Sequence, residues 1–558
     1  MKQALKDKIA SILLQGEVLK TRQEIEQMYP ARNLSAGAEV TRLCPSPTGF
    51  VHIGTIFTAQ LCQFVAHQSG GVSMLRIEDT DKKREVEGAQ KLITEQLQAF
   101  EVQTDEGLKP DGSQTGAYGP YIQSERQSLY MAYALDLLQQ DRAYPCFATS
   151  VQLQEAVKDQ QTNKQRPGYY GDWALWRDRP DEDIEAMLDA GEPFVLRFKS
   201  FGSHEKRVAF DDVLKGHLEL PENDLDVPLI KSDEHRLPTY HLAHVVDDFL
   251  MKATIIMRGE EWLPSTPLHL ELCDALNVPR FRYAHTPVIS ILDANGGGKR
   301  KLSKRKDPEA DVAYWLKLAY PLKSVKAYLL GLANSNFEEW YLEHPDSSLI
   351  DFPFSIEKLK ASRSPLLDMK KVEDYAKDEI ARLSQEEFNQ SVLSWTELHD
   401  PALFTAMMKD VDYTNSVLSI ERGGEKPRKD VAKWSDVPEQ FSYFYDEIFG
   451  DRIASTIYDE TDGIYKPQDI FTACEAFLAN YDHTADKDTW FENMKQAAVQ
   501  AGYCLDRKEL KEHPEKYKGG IADFAGIIRI KLTGKSRTPD LWTIMQVMGE
   551  QRVKERLL

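Results

Sequence analysis

A histidine two residues ahead of a glycine, His52-Ile53-Gly54-Thr55, opens a helical pattern directly after an apolar run at 40–44 and a proline-punctuated loop at 45–49. Strand, turn and helix start, in that order, form a cradle for phosphate. Unpaired backbone N–H groups and the positive end of the helix dipole face the same spot. Alone, the H-x-G pattern is common, and its ordinary meaning is a histidine at a helix start. A second group with chemical potential is Lys301-Leu302-Ser303-Lys304-Arg305, in the most basic short run of the chain, after a strand at 287–292 and the triple glycine 296–298. Such a run is usually a solvated surface. Behind a glycine-rich lead-in it also reads as a loop whose lysines close over a polyphosphate and stabilise charge growing on its oxygens. The third group is Glu78, just past the apolar strand 72–77, where open α/β sheets bind ligands. Its neighbours Asp79 and Asp81 read as caps for a helix at 86–100.

The elements that must position these groups follow from periodicity. The helix at 52–68 puts Ile56, Ala59, Cys62 and Val65 on one face, and Gly70-Gly71 ends it. Strand, helix and strand within 40–77 make a βαβ unit, hence a parallel sheet. Over 143–227 the pattern changes to mixed strands (194–198, 208–210), exposed helices and many charges. Short apolar strands and a helix return over 237–258. The sheet is therefore expected to be split by an insertion of roughly a hundred residues, an ordinary domain size. From 311 onward the chain reads as mostly helical. Its last helices, 522–532 and 539–548, are joined by a turn with Gly534 at the first helix's end and Pro539 at the second's first position. Residues 1–37 read as an extension opening on an amphipathic helix rather than a secretory signal.

At 558 residues the chain holds several domains. It has no apolar run long enough to span a membrane. Six scattered cysteines without a C-x-x-C pair suit a reducing cytoplasm and argue against a disulfide framework or a cysteine-rich zinc site. A net charge of −20 argues against a general nucleic-acid binder, though one face can still be basic.

Together His52-Ile53-Gly54-Thr55 and Lys301-Leu302-Ser303-Lys304-Arg305 resemble the HIGH and KMSKS signatures of class I aminoacyl-tRNA synthetases. The stretches Thr41-Arg42-Leu43-Cys44-Pro45-Ser46-Pro47-Thr48-Gly49, Leu75-Arg76-Ile77-Glu78-Asp79-Thr80-Asp81, Gly119-Pro120-Tyr121-Ile122-Gln123-Ser124-Glu125-Arg126, Tyr240-His241-Leu242-Ala243-His244-Val245-Val246-Asp247-Asp248 and Arg258-Gly259-Glu260-Glu261-Trp262 narrow the resemblance to bacterial-type glutamyl-tRNA synthetases, in that family's order. It is strong over 40–308 and weaker through the helical C-terminus, where 532–534 and 538–541 again look familial.

The resemblance implies an α/β protein: a Rossmann-like parallel-sheet catalytic domain (38–118 and 236–300) split by an inserted α+β acceptor-stem domain (119–235). A loop and stem-contact domain (301–375) and a helical anticodon-binding domain (376–558) follow, with 1–37 as the extension. It implies His52 and Lys304 as catalytic groups. ATP would be held by Pro45, Gly49, His52, Gly54, Thr55, Glu261, Ile289, Lys301, Leu302, Ser303, Lys304 and Arg305. Glutamate would be held by Arg42, Cys44, Ser46, Glu78, Tyr240, His244 and Arg258, with Arg42 forking onto a carboxylate and Glu78 receiving the α-ammonium. Arg428 would contact tRNA. Mg²⁺ would accompany ATP, no structural metal is expected, and the partner is tRNA(Glu), with tRNA(Gln) left open, for a cytoplasmic monomer without membrane association.

Several positions depart from the family pattern. Thr55 stands for the second histidine of HIGH, the second signature reads KLSKR, and His244 stands where many relatives have asparagine. Cys146 is followed by Phe147 and Ala148, not by the Cys-x-Cys of zinc-containing relatives. Glutaminyl-tRNA synthetases have Glu-Pro-Asn where this chain has Ser46-Pro47-Thr48. A shorter relative that glutamylates a modified tRNA base lacks the long stretch after 376. A retired paralogue that only binds RNA or protein is disfavoured by intact His52, Lys304, Arg42 and Glu78.

Overall fold

The computed structural model describes residues 1–293, 296–303, 305–361, 365–424, 426–450 and 465–558. These fall into two compact units, Met1–Trp315 with Lys326–Asp368, and Leu316–Val325 with Met369–Leu558.

In the first unit, β1 (Val40–Leu43) runs parallel to β2 (Val72–Leu75), with Val40 opposite Val72. β2 runs parallel to β3 (Glu106–Leu108), and β3 pairs antiparallel with β4 (Gln114–Thr115). β5 (Ala143–Cys146), β6 (Val195–Phe198) and β9 (Pro228–Ile230) form a separate antiparallel sheet. β10 (Ile255–Gly259) and β11 (Arg282–Thr286) are parallel. β11 meets β7 (Arg207–Asp212) at Tyr283 and Asp212, and β7 forms a hairpin with β8 (Gly216–Pro221). The strand expected at 208–210 thus sits in a hairpin joined to the edge of the β10–β11 sheet. β12 (Ser290–Leu292) and β13 (Lys299–Lys301) make a last hairpin.

The two parallel halves meet at Thr254. Its amide donates to Val40 O (3.0 Å), and its hydroxyl accepts from Val40 N (2.7 Å). That stitch places the C-terminal ends of β1 and β10 side by side, which is where a ligand can be held from both halves.

The helices of this unit are α1 (Gln3–Leu14), α2 (Arg22–Met28), α3 (Ile53–Gln68), α4 (Ala89–Ala99), α5 (Gln127–Gln139), α6 (Ser150–Thr162), α7 (Asp181–Asp189), α8 (Tyr240–Leu250) and α9 (Thr266–Ala275). α3 buries Ile56, Ala59, Cys62 and Val65, the stripe its sequence predicts. α1 and α2 are part of the core: Leu5, Ile9, Leu13, Ile25 and Tyr29 are buried with Tyr130, Tyr133 and Leu137 of α5. Arg32 closes this strap by forking onto Glu106 (2.8 and 2.9 Å) and donating to Met251 O (3.1 Å).

One local reading is corrected. Asp79 and Asp81 do not cap a helix at 86–100. α4 starts at Ala89 with Gly88 (φ 77°) as its N-cap. Asp79 is buried and accepts from Ser124 N (2.8 Å) and Oγ (2.5 Å), while Asp81 pairs with Arg84. The Asp79 carboxylate meets the Gln90 side chain of α4 at 3.5 Å but accepts from no α4 amide; it holds the segment leading into α5 instead.

The second unit is helical. Helices Gln385–His399, Pro401–Lys409, Val411–Leu418, Pro467–Asn480, Lys487–Gln500, Ile521–Thr533, Leu541–Met548 and Glu550–Leu557 contribute to it. Their apolar faces share a core that includes Phe388, Val392, Leu403, Trp490, Phe524, Ile528 and Ile544. Gly534 ends Ile521–Thr533 in the left-handed region (φ 70°), as its sequence suggests. The next helix begins two residues later than expected, with Asp540 as its cap rather than Pro539 at its first position. The Asp540 side chain accepts from Thr543 N (3.0 Å). Among the described residues no helix is long and apolar enough to cross a membrane.

Candidate active site

A cavity of about 800 Å³ opens at the C-terminal ends of β1, β2 and β10. Its walls come from the loop after β1, the start of α3, the end of β10 and the β12–β13 hairpin. The two sequence motifs 250 residues apart therefore face one space, with His52, Gly54 and Thr55 on one side and Lys301, Leu302 and Ser303 on the other.

His52 is the N-cap of α3, and its own ring does the capping: Nδ1 accepts from Gly54 N at 2.9 Å. A ring nitrogen that accepts carries no proton, so the neutral imidazole holds its hydrogen on Nε2. The spacing of the motif has a steric cause. A Cβ at residue 54 would lie 2.9 Å from His52 Nδ1, so only glycine lets the ring fold over that amide. Downstream of the second motif, Asp311 pairs by backbone with His52, and Val312 N donates to Val51 O (3.0 Å). Within the hairpin region, Asp307 accepts a fork from Arg300 (2.6 and 2.6 Å) and the Ser303 amide (2.8 Å), and this fork holds the Asp307 carboxyl below its ordinary range. Lys301 reaches across to Glu261 at 3.0 Å.

At the other end of the cavity lies a buried set of charges. Arg42 donates from Nε to Asp248 (3.1 Å) and from Nη1 to Met257 O (3.0 Å). Its Nη2 has no protein partner among the described residues, and the residue lines the cavity. Arg76 donates to Asp248 (2.6 Å) and to Glu78 (3.1 Å). Arg126 donates to Asp247 (2.7 Å), which also accepts from Tyr130 and Gln123 (both 2.8 Å). Burial raises the pKa of Glu78, against the pull of Arg76 and Arg42. Burial would raise that of Asp248 too, but Arg42, Arg76 and His244 outweigh it and hold Asp248 well below the usual carboxylate range.

A histidine cluster backs the third wall. Arg258 donates from Nε to His285 Nε2 (3.0 Å), from Nη1 to His269 Nδ1 (3.1 Å) and Tyr240 Oη (3.4 Å), and from Nη2 to Thr266 Oγ1 (3.0 Å). These partners fix the tautomers: His285 keeps its proton on Nδ1, 2.6 Å from Asp212, and His269 keeps its own on Nε2, 3.0 Å from His241 Nδ1. Burial lowers the pKa of all four histidines, His241 to about 4 and His244 to about 3. Because Arg258 meets protein acceptors with each of its nitrogens, it acts on the cavity through its charge and by orienting Tyr240. Tyr240 is held as a protonated phenol by burial.

The model of the tRNA synthetases class I (E and Q) catalytic domain matches residues 39–333. The chain is 44% identical over 538 residues to the glutamate–tRNA ligase of Clostridium perfringens strain 13, covering 96% of this chain and 97% of that protein. The chain belongs to the glutamate–tRNA ligase family of class I synthetases. It is also 42% identical to the Acetivibrio thermocellus glutamate–tRNA ligase, with 95% of each chain covered. The fold agrees with a crystal structure of a glutamate tRNA ligase from Elizabethkingia meningosepticum, with a TM-score of 0.65 at 22% identity, over 93% of this chain and 98% of that one.

Of the residues that the resemblance to this family nominates, Arg42, Cys44, Pro45, Ser46, His52, Gly54, Thr55, Glu78, Tyr240, Arg258, Glu261, Ile289, Lys301, Leu302 and Ser303 line the one cavity. Gly49, Arg305 and His244 are not in its wall. His244 lies behind Tyr240, fully buried and stacked on that ring (5.7 Å between centroids). Its Nδ1 is 2.7 Å from Asp248 Oδ2 without an aligned hydrogen bond, and its Nε2 is 3.1 Å from Tyr283 Oη. Lys304 lies outside the described residues. Arg428 belongs to the second unit, where it forks onto Asp430, leaves Nη1 buried without a partner among the described residues, and lines a cavity with Lys535 and Arg537.

Sequence reasoning passed over Arg76, Arg126, Asp247 and Asp248. All four stand inside the motif stretches quoted above, and the available signal was charge on apolar elements: an arginine at a strand's end and two aspartates on a largely apolar helix. Among the described residues no group of three His, Cys, Asp or Glu side chains is placed to hold a metal ion.

Proposed function

We propose that the chain activates glutamate with ATP and transfers it to the 3′-terminal adenosine of tRNA(Glu). The observation that supports this most is the single cavity that joins the His52 and Lys301 motifs to the Arg42–Glu78–Tyr240 subsite. In this reading Glu78 receives the substrate ammonium, and Arg42 Nη2 with the Tyr240 hydroxyl meets its side-chain carboxylate. The glutamate α-carboxylate attacks the ATP α-phosphorus in line, giving glutamyl-adenylate and pyrophosphate. His52 Nε2–H donates to the phosphates, and Lys304 and Lys301 stabilise the charge that develops as pyrophosphate leaves. The 2′-hydroxyl of the tRNA terminus then attacks the activated carbonyl.

Mg²⁺ accompanying ATP would supply charge neutralisation at the His52 and Lys301 end of the cavity; its usual reliance on substrate phosphates fits the finding that among the described residues no acidic trio is placed to hold it. The inserted segment 119–235 would grip the acceptor stem, and the helical region after 376, with Arg428, would face the anticodon. A cytoplasmic monomer suits this role.

Aminoacylation with radiolabelled glutamate, ATP and purified tRNA(Glu) tests the reading. Charging with glutamine and not glutamate would overturn it. Full activity in a Lys304→Ala variant would overturn the loop assignment. Parallel charging of tRNA(Gln) decides whether that tRNA is also a substrate.

A further inference from the structure

The buried charges beneath the cavity balance: Arg42, Arg76 and Arg126 against Glu78, Asp247 and Asp248. Within that set the contacts are unequal. Arg42 reaches only Asp248, and Arg126 reaches only Asp247. Arg76 reaches all three carboxylates: Glu78 Oε1 from Nη2 at 3.1 Å, Asp248 Oδ1 from Nη1 at 2.6 Å, and Asp247 Oδ2 from Nε at 3.5 Å. It is fully buried, follows directly on β2, and is absent from the cavity wall. Glu78 and Arg42 both line the cavity and share no side-chain contact; the β1–β2 pairing and the bond from Glu78 N to Pro45 O (3.0 Å) tie their backbones, and what connects their side chains is Arg76, directly in one case and through Asp248 in the other.

We infer that Arg76 is a positioning residue for the amino acid: it sets the distance and orientation between Glu78 and Arg42, the two poles proposed to hold the substrate's ammonium and side-chain carboxylate. This rests on the reading of those two residues given under the proposed function. The geometry requires arginine in particular. A planar fork hydrogen-bonds Asp248 and Glu78 at once and sets Nε 3.5 Å from Asp247 without an aligned bond, whereas a lysine ammonium is a point charge on a flexible stem and would settle on one of them. Binding of glutamate, which must span both poles, would suffer; binding of ATP, whose proposed contacts lie at the His52 and Lys301 end, would not.

The test is steady-state aminoacylation by the full-length chain at saturating tRNA. For Arg76→Lys the KM for glutamate should rise about tenfold or more, with the KM for ATP within about twofold of the parent. KM does not depend on the fraction of folded enzyme, so a partly unfolded preparation still reports. Should Arg76→Lys yield no folded protein, Asp247→Asn decides. Asp247 touches neither Glu78 nor Arg42, and its Oδ2 lies 3.5 Å from Arg76 Nε, so the same split is expected at smaller amplitude. Arg42→Gln and Glu78→Gln are the controls. If both leave the KM for glutamate unchanged, the reading of the subsite fails and the inference falls with it. If they raise it while Arg76→Lys and Asp247→Asn do not, or raise the KM for ATP as much, Arg76 is a structural counter-ion only, and the inference is overturned with the subsite reading intact.

Discussion

Mild acid should loosen the wall behind Tyr240. His241 and His244 are held neutral in the fold, with pKa values lowered to about 4 and about 3, chiefly by burial, while the unfolded chain titrates near 6.5. Arg258 faces the cluster from β10, with Asp212 on β7 and Asp248 on α8. A depressed histidine makes the unfolded state bind more protons, so stability falls as pH drops below about 6.5 and goes on falling until the folded pKa is reached. Between pH 7.5 and 5.5 each such group costs about 1.4 kcal/mol, a factor of about ten in the opening equilibrium. Two give about a hundredfold, and His269 and His285 shift in the same direction. Glu78, raised by burial, pulls the other way, while the depressed Asp212 and Asp248 lose their contribution only at lower pH. Hydrogen exchange of amides 242–246 and 284–285 in the full chain, corrected for intrinsic rates, measures this local opening. His244→Asn should remove about tenfold of the change. Protection that is the same at pH 5.5 and 7.5, or a His244→Asn protein that keeps the whole effect, would refute the argument.

Gly54→Ala drives a methyl into the His52 ring, and should cost about 1 kcal/mol of cap energy along with most of kcat, read by thermal melting and aminoacylation. Gly107→Ala combines φ +127° with a Cβ 2.3 Å from Leu75 O. It should destabilise the β2–β3 pair by about 2 kcal/mol or more, seen as a lowered melting temperature. Glu106→Gln weakens the Arg32 fork at a part-buried site and should cost about 1–2 kcal/mol, with residues 1–37 becoming the first to be cut by protease; an unchanged cleavage pattern would count against the strap.

The parts of this protein that sequence made legible are those written in local pattern. α3 shows its 3.6-residue stripe, Gly70-Gly71 its stop and Gly534 its cap, and the two signature motifs announce a phosphate-facing site. What stayed hidden depends on distant pairing. Asp247 and Asp248 give no local hint that their partners are Arg126, Arg76 and Arg42, because the pairs span 121 to 206 residues. Asp79 looked like a cap because aspartate before a helical pattern usually is one; a tertiary acceptor role for Ser124 leaves no mark in spacing. The β7–β8 hairpin follows its neighbours in composition, and only the Tyr283–Asp212 pairing reveals which sheet it joins. Residues 1–37 read as an extension since their apolar face has no visible partner until α5 is folded against it.

The distance between Arg76 and Asp248, 172 residues along the chain, bears on how the protein is made. At about 5–20 residues per second, a ribosome that has just released Arg42 and Arg76 needs roughly 10–40 s to deliver their counter-charges. Glu78 follows Arg76 within two residues and can pair with it at once, but Arg42 has no such neighbour; an unpaired guanidinium cannot be buried at tolerable cost, so β1 cannot close its core over Arg42 during that interval. That strand must wait in water as nascent chain, and the same Arg42 that later lies beneath the pocket is what keeps it wet until Asp248 and Thr254 arrive.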